Sequence, residues 1–166
     1  MASRPYIYSG QGFSLQRDKN RFVLPAQFRS PLRESSEGNS VLYLAKHDRW
    51  KCLTGFGKSR TDEFEDLMDR EEAVALQGGK PYDREKRAHD LYNYFEVPFD
   101  ASGRFVLPDD LATLGGIDDQ LYFQGAGKSF TVWSPEALYA MDDSWISSQT
   151  SCRNLAAKDL AKAKRK

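Results

Sequence analysis

The amino-acid sequence predicts an α+β fold, in which a strand-rich unit occurs twice in one chain and the two copies pair with each other. The pentapeptide Arg-Phe-Val-Leu-Pro occupies 21–25 and again 104–108. Downstream of each, the tripeptide at 42–44 matches the one at 121–123. The segment 57–96 instead carries apolar residues at helical spacing. Because a lone hairpin is marginal in water, we expect the two copies to pair with each other.

The composition is that of an ordinary globular protein. The 166 residues carry no net charge, and 40% of them are hydrophobic and 29% charged. No apolar run approaches a membrane span, and the segment 1–6 lacks the apolar stretch of a signal peptide. Cys52 and Cys152 show neither metal-site spacing nor a disulfide framework. The sequence therefore predicts a cytoplasmic protein with no membrane partner, metal or other cofactor.

Charge is distributed unevenly between the copies. Residues 16–33 have a net charge of +4, whereas the matching residues 99–116 have a net charge of −2. The cations of the first stretch are Arg17, Lys19, Arg21, Arg29 and Arg33. A nucleic-acid site in a chain without net charge has to be a local patch, and this stretch is the strongest candidate.

Each copy is predicted to begin with two short strands around a turn. In the first copy, the strands are expected at Phe13–Leu15 and Arg21–Leu24, with the turn at 17–20. Asn20 suits this turn because Asn tolerates a positive φ better than most residues.

A helix and a hairpin complete the first copy. Pro25 has no N–H to donate to a strand ladder and suits the first turn of a helix, predicted over Ala26–Leu32. A hairpin of Val41–Ala45 and Trp50–Thr54 follows. In this alignment Trp50-x-x-Leu53 corresponds to Phe130-x-x-Trp133 of the second copy.

Two helices are predicted between the copies. The first ends at Gly78-Gly79, and the second is capped by Asp83. Their apolar positions are Phe64, Leu67, Met68 and Ala75 in the first helix and Ala88, Leu91, Tyr92 and Phe95 in the second. Each set lies on one helix face.

The second copy repeats the order of the first. Its predicted elements are a turn at 100–103, a strand at 104–107, a helix at 108–114 and a hairpin of 120–124 with 130–133. Ser134 caps a third predicted helix, with Leu138, Met141 and Trp145 on one face. The tail from Ser151 ends in Lys164-Arg165-Lys166 and is predicted to be a frayed helix or disordered.

The duplicated turn, Arg, three strand residues and Pro, with two helices between the copies, resemble the MraZ family over roughly residues 8–147. The family pattern is Asp-x-Lys/Ala-Gly-Arg-x-x-x-Pro. The second copy carries Asp100, Gly103, Arg104 and Pro108, with Ser102 in the Lys place.

The first copy departs from the family pattern. It keeps Lys19, Arg21 and Pro25 but has Arg17 in the Asp place and Asn20 in the Gly place. Asn20 can keep the turn, whereas loss of the Asp removes a carboxylate partner for it.

The resemblance implies a SpoVT-AbrB-like fold, a small swapped-hairpin β-barrel, duplicated at 8–56 and 93–136. A helical linker at 57–92 and a C-terminal helix with a basic tail at 137–166 complete the expected domains. It also implies a repressor of the cell-division and cell-wall gene cluster, associated with the nucleoid. Such a protein binds repeated operator elements in double-stranded DNA as a ring-shaped homo-oligomer.

The candidate DNA-contacting residues are Arg17, Lys19, Arg21, Arg29 and Arg104. Arg21 is predicted to be the principal contact, because a guanidinium fork matches guanine or phosphate. For Arg104, a structural role paired with Asp109 and Asp110 is favoured over DNA contact on charge grounds.

Other chemistry is disfavoured, and no enzymatic activity is expected. Gly125–Ser129 imitates the end of a P-loop, but position 122 is Tyr and the segment lies between strands. His47 and Cys52 alone make no metal site. The acidic run 62–72 fits a solvated helix face better than a hydrolase pocket. A different class of function stays open: a homo-oligomeric assembly protein that binds no DNA and recruits a partner through its helices.

Overall fold

The computed structural model describes residues 6–164. Its strands are β1 Gln11–Leu15, β2 Arg21–Val23, β3 Val41–Lys46, β4 Leu53–Phe56, β5 Phe95–Pro98, β6 Arg104–Val106, β7 Gln120–Gly125 and β8 Phe130–Trp133. Its helices are α1 Ala26–Ser35, α2 Lys58–Thr61, α3 Phe64–Gln77, α4 Arg84–Tyr92, α5 Asp109–Gly115, α6 Pro135–Tyr139 and α7 Ile146–Lys164, with a short 3₁₀ helix at Asp143–Trp145. Helices combined with antiparallel sheets confirm the α+β class.

The strands of the two copies pair across the repeat. β1 of the first copy pairs with β7 of the second, and β5 of the second copy pairs with β3 of the first. β4 pairs with β8, which joins the halves into a six-stranded sheet of order β1-β7-β8-β4-β3-β5. β2 and β6, which carry the repeated pentapeptide, form a separate two-stranded ribbon. Neither copy is therefore a self-contained sheet.

The register of these pairs follows an internal two-fold symmetry. Phe22 lies opposite Phe105, the same position of the other pentapeptide. Thr54 lies opposite Thr131 in the β4–β8 pair. If Thr54 and Thr131 are equivalent, the residues before them, Leu53 and Phe130, are equivalent too. The predicted alignment of Trp50 with Phe130 is therefore wrong.

One core, built from both copies, fills the space between the ribbon, the sheet, α1 and α5. Phe22 and Phe105 point into it from the ribbon, with ring centroids 6.3 Å apart. Phe28 of α1 and Leu111 of α5 are fully buried there. α1 and α5 begin directly after the prolines of the two pentapeptides, so each pentapeptide ends a strand and starts a helix.

A pair of helices covers the outer face of each half of the sheet. In the first half, Tyr43 and Phe56 pack against Phe64 of α3. In the second half, Tyr122 and Trp133 pack in one buried cluster with side chains of α6 and α7. Because side chains alternate along a strand, the remaining positions of the same strands face the shared core.

Three predicted boundaries are wrong. Trp50 lies in the β3–β4 loop, where its ring stacks on His47 with centroids 4.7 Å apart, and not in a strand. Phe95 begins β5, because α4 already ends at Tyr92. The third predicted helix is interrupted: α6 ends at Tyr139, so Met141 lies between helices.

Of the two alternatives predicted for the tail from Ser151, the helix is confirmed and disorder is wrong, because the segment up to Lys164 belongs to α7. The side-chain amide of Gln149 donates to the carbonyl oxygens of Leu138 and Met141, both at 3.0 Å. Cys152 is fully buried. These contacts hold α7 against α6 and the sheet. The last two residues of the predicted basic tail, 165 and 166, lie outside the described residues.

Replacement of Phe22 tests the position of the ribbon over the core. Phe22→Ala is expected to lower the free energy of unfolding by about 3–5 kcal/mol, because it leaves a cavity in the shared core. Val106→Ala is the control on the same ribbon, since Val106 is 51% exposed, and its cost is expected to stay below about 0.5 kcal/mol. Urea unfolding measures both. Equal losses for the two variants would contradict this packing.

Candidate nucleic-acid interface

The outer face of the β2–β6 ribbon carries two arginines. Arg21 lies opposite Val106, and Val23 lies opposite Arg104. Since neighbouring residues of a strand point to opposite faces, burial of the two phenylalanines turns these four side chains away from the core. The side chains of Arg21 and Arg104 are 48% and 56% exposed. The structure thus brings the predicted Arg21 and Arg104 onto one surface, related by the internal two-fold.

A turn precedes each of these arginines. Asn20 and Gly103 hold equivalent positions with φ of 60° and 83°, so the prediction that Asn20 keeps the turn is confirmed. The backbone N–H of Asn20 donates to the side-chain oxygen of Gln16 at 2.8 Å. In the second copy, Asp100 accepts from the backbone N–H groups of Ser102 and Arg104, each at 2.9 Å. Gln16 therefore gives the first turn a side-chain acceptor of its own, which binds a different backbone N–H from those that Asp100 binds in the second copy.

The two arginines differ in their ion pairs. Nε of Arg104 lies 2.7 Å from a carboxylate oxygen of Asp100, whereas Nη1 of Arg21 lies 3.8 Å from Asp18. The prediction that Arg104 pairs with Asp109 and Asp110 is therefore wrong. Asp109 instead accepts a hydrogen bond from the side-chain amide of Asn20. Both acids lie in the first turn of α5, where they complement the positive end of the helix dipole.

Hydrogen bonding holds the pKa of the Asp100 carboxyl below its ordinary value. The largest cause is the backbone N–H of Arg104, and the Arg104 guanidinium adds to it. Asp100 therefore stays ionised at neutral pH and neutralises part of the charge of Arg104. Among residues 6–164, the ion pair of Arg21 is the longer contact with the exposed carboxylate of Asp18, which screens its charge weakly.

The remaining cations of the first copy divide into two groups. Arg17 and Lys19 are exposed in the turn before β2. Arg29 turns inward, and its Nε and Nη2 donate to the carbonyl oxygen of Leu24 at 3.0 and 2.8 Å. Arg33 donates to the Ser40 hydroxyl and lies over the ring of Phe99. The net charge of +4 in this stretch therefore overstates the free positive charge at the surface.

A shallow depression joins the two turns on the ribbon surface. It has a volume of about 380 Å³, and its walls include Arg17, Arg21 and Arg104. Val23 and Ser102 also line it, although sequence reasoning did not select them. The cross-strand register was the missing information, since the sequence of one copy does not tell which residues of the other lie opposite.

The alternative sites weighed in the sequence lack the required geometry. Gly125–Ser129 connects β7 to β8, and Gly127 bridges to Tyr8, so the segment starts no helix. Within residues 6–164, no cluster of three or more His, Cys, Asp or Glu side chains could hold a metal ion. The same range contains no helix long and apolar enough to cross a membrane.

The acidic run of α3 is paired with α4. Arg84 contacts Asp69 at 2.9 Å, and Arg87 contacts Glu71 at 2.9 Å. These ion pairs hold the two connecting helices together.

The amino-acid sequence is similar to those of known proteins. No protein-family model matches the chain. It is 32% identical over 126 residues to the transcriptional regulator MraZ of Rhodospirillum rubrum, covering 74% of this chain and 76% of that protein. The MraZ proteins of Parvibaculum lavamentivorans and Caulobacter vibrioides are 32% and 29% identical over 124 and 129 residues. These matches cover 74% and 77% of this chain and 72% and 78% of the two relatives.

A pair of substitutions tests the unequal turns. Gly103→Ala is expected to destabilise the protein by at least about 1–2 kcal/mol, because a side chain is strained at this φ. The new Cβ would also overlap the Arg29 guanidinium. Asn20→Gly is the matched change and is expected to stay within about 1 kcal/mol, because Gly adopts the turn freely. The measurement is urea unfolding of both variants. Similar losses of unfolding free energy in the two variants would show that the Arg29 guanidinium beside Gly103 does not make the second turn the more sensitive one.

Proposed function

The chain belongs to the MraZ family of transcriptional regulators, and on that premise we propose that it is a sequence-specific DNA-binding repressor whose β2–β6 ribbon contacts DNA. One observation carries the proposal: Arg21 and Arg104 lie on the same exposed face of the ribbon, and the opposite face of the ribbon packs on the core. The major groove of B-DNA admits a two-stranded β-ribbon. A rigid ribbon places its side chains reproducibly, which base recognition requires.

The residues of the interface receive different roles. Arg21 is the principal contact, because its guanidinium fork fits guanine O6 and N7 or a phosphate. Arg17 and Lys19, exposed in the turn, supply phosphate contacts that fix the orientation of the ribbon. Arg29 acts indirectly: its guanidinium donates a hydrogen bond to the carbonyl oxygen of Leu24 and lies beside Gly103, which stabilises the turn.

Arg104 is the weaker of the two ribbon arginines in this proposal. Its Nε is held by Asp100, and this carboxylate would repel an approaching phosphate. The first copy has Arg17 in place of that carboxylate. The same backbone thus offers DNA a cationic turn at one end of the ribbon and a partly neutralised turn at the other.

The fold is proposed to be a duplicated swapped-hairpin barrel of the SpoVT-AbrB type. The exchange of β1 and β5 between the halves supports this assignment. Repeats at 8–56 and 93–136, the linker at 57–92 and the C-terminal part at 137–166 are the proposed domains.

A ring-shaped homo-oligomer is proposed as the DNA-binding assembly. The unequal surfaces of the two halves favour head-to-tail contacts, which close into rings. Exposed Val74 and Leu76 on α3, at 69% and 80%, offer apolar area for such contacts. Repeated operator elements would then be bound multivalently, so that weak single contacts suffice. The proposed target is the cell-division and cell-wall gene cluster, in the cytoplasm at the nucleoid.

Arginine substitutions on the ribbon test the DNA contact. Arg21→Ala is expected to lose about 1–3 kcal/mol of binding to duplex DNA from upstream of the gene, the cost of one bidentate contact. Arg21→Lys should keep the charge but lose the fork. Arg104→Ala is the symmetry-matched control and is expected to change affinity less. Fluorescence anisotropy at several salt concentrations provides the measurement. Normal binding by Arg21→Ala with loss in Arg104→Ala would reverse the assignment.

Solution mass tests the assembly. Multi-angle light scattering at micromolar concentration is expected to give a multiple of the 18.9 kDa chain mass. Val74→Asp combined with Leu76→Asp should lower that mass, because charges would then enter the proposed apolar contact. A monomer at all concentrations would contradict the ring.

The alternative function, an assembly protein that binds no DNA, makes the opposite prediction in the same binding experiment. Phosphate contacts make DNA affinity fall steeply with salt. An oligomer that binds neither the upstream duplex nor a random duplex at low salt would favour this alternative.

A further inference from the structure

The C-terminal end of α7 lies beside the cationic turn of the first copy. A groove of about 670 Å³ separates them. On one side are Leu15, Arg17 and Val23, and on the other are Asp159 and Lys162 of α7. Val23 and Arg17 also line the depression on the ribbon face, so the groove continues that surface sideways.

α7 is fixed in this position by buried contacts along its length. Gln149 donates to two carbonyl oxygens near the end of α6, and Cys152 accepts a hydrogen bond from the Tyr139 hydroxyl. Ala156, one turn further, is 9% exposed. The last two turns therefore continue from a rigid base and lie beside β1 and the turn that precedes β2.

The end of α7 is positively charged. Lys158, Lys162 and Lys164 are exposed, against one carboxylate, Asp159. The free carbonyls at a helix C-terminus carry partial negative charge and repel a phosphate. On the α7 side of the groove, the groups that attract an anion are therefore the lysine ammonium groups, which are compact charges on long flexible stems.

We propose that the C-terminal end of α7 is a second DNA contact, in which Lys162, supported by Lys164, binds backbone phosphates next to the segment contacted by the ribbon. This contact is independent of base sequence, because an ammonium group bound to phosphate carries no base information. It lies on the first-copy side only, so it extends the footprint in one direction. The inference rests on the proposed function and assigns α7 to that same DNA surface.

The experiment uses the full chain and two labelled duplexes of equal length, one from upstream of the gene and one of random sequence. Lys162→Gln removes the proposed contact, and Lys80→Gln, at an exposed lysine in the α3–α4 loop, is the matched control. Lys162→Gln is expected to lower the affinity for both duplexes by the same factor. It should also reduce the slope of log K against log salt by about 0.9, which corresponds to the loss of one phosphate contact. Adding Lys164→Gln should reduce the slope further. Lys80→Gln should match the wild type.

The outcomes separate this inference from the proposed function. If Arg21→Ala loses upstream-duplex binding while Lys162→Gln behaves as Lys80→Gln does, only the α7 contact is overturned. If the wild type binds neither duplex at low salt, both are overturned. If Lys162→Gln lowers the mass in light scattering and leaves the salt slope unchanged, the groove is a contact between subunits and the α7 inference fails. Unchanged thermal unfolding of Lys162→Gln excludes a folding defect.

Discussion

The pairing of β2 with β6 is the contact on which the rest of the structure depends. Each strand has three residues, and each is too short to bury a face alone. Side by side, they place Phe22 against Phe105 over the core that both copies share. Because the side chains alternate, the same pairing forces Arg21 and Arg104 outward. Closure of the core and presentation of the arginines thus have one cause, and a change that opens the ribbon would remove both.

A symmetric backbone carries unequal chemistry at its two turns. In the second copy the carboxylate of Asp100 accepts backbone N–H groups and also pairs with Arg104. In the first copy the uncharged Gln16 accepts the turn N–H of Asn20. The residue of the first copy that corresponds to Asp100 is Arg17, and its side chain accepts none of these N–H groups. The first turn thus has a different side-chain acceptor, which binds a different N–H, and it keeps the positive φ of Asn20 with a cation at position 17.

The sequence predicted local structure well at residues whose type restricts the backbone to one conformation. The identical pentapeptides predicted two strands that end at prolines, and Asn20 in the place of a glycine predicted a positive φ. The inward course of Arg29 was not predictable, because its acceptor is a backbone carbonyl that any residue could supply. Nor was the docking of α7, whose buried positions include polar Gln149 and small Ala156. Trp50 was assigned to a hairpin strand and aligned with Phe130 of the second copy, yet it packs from a loop.

The helices outside the two sheets break the symmetry further. α3 and α4 bind each other through acids paired with Arg84 and Arg87, so their charges are largely satisfied internally. α7 buries small and polar residues against the sheet and leaves its lysines exposed at the end beside the first-copy turn. On the proposed function, the two identical strands, taken without their unequal turns, would bind a duplex in either of two orientations. A cationic flank on one side only lowers the energy of one of them, so each protomer would bind DNA with a defined direction.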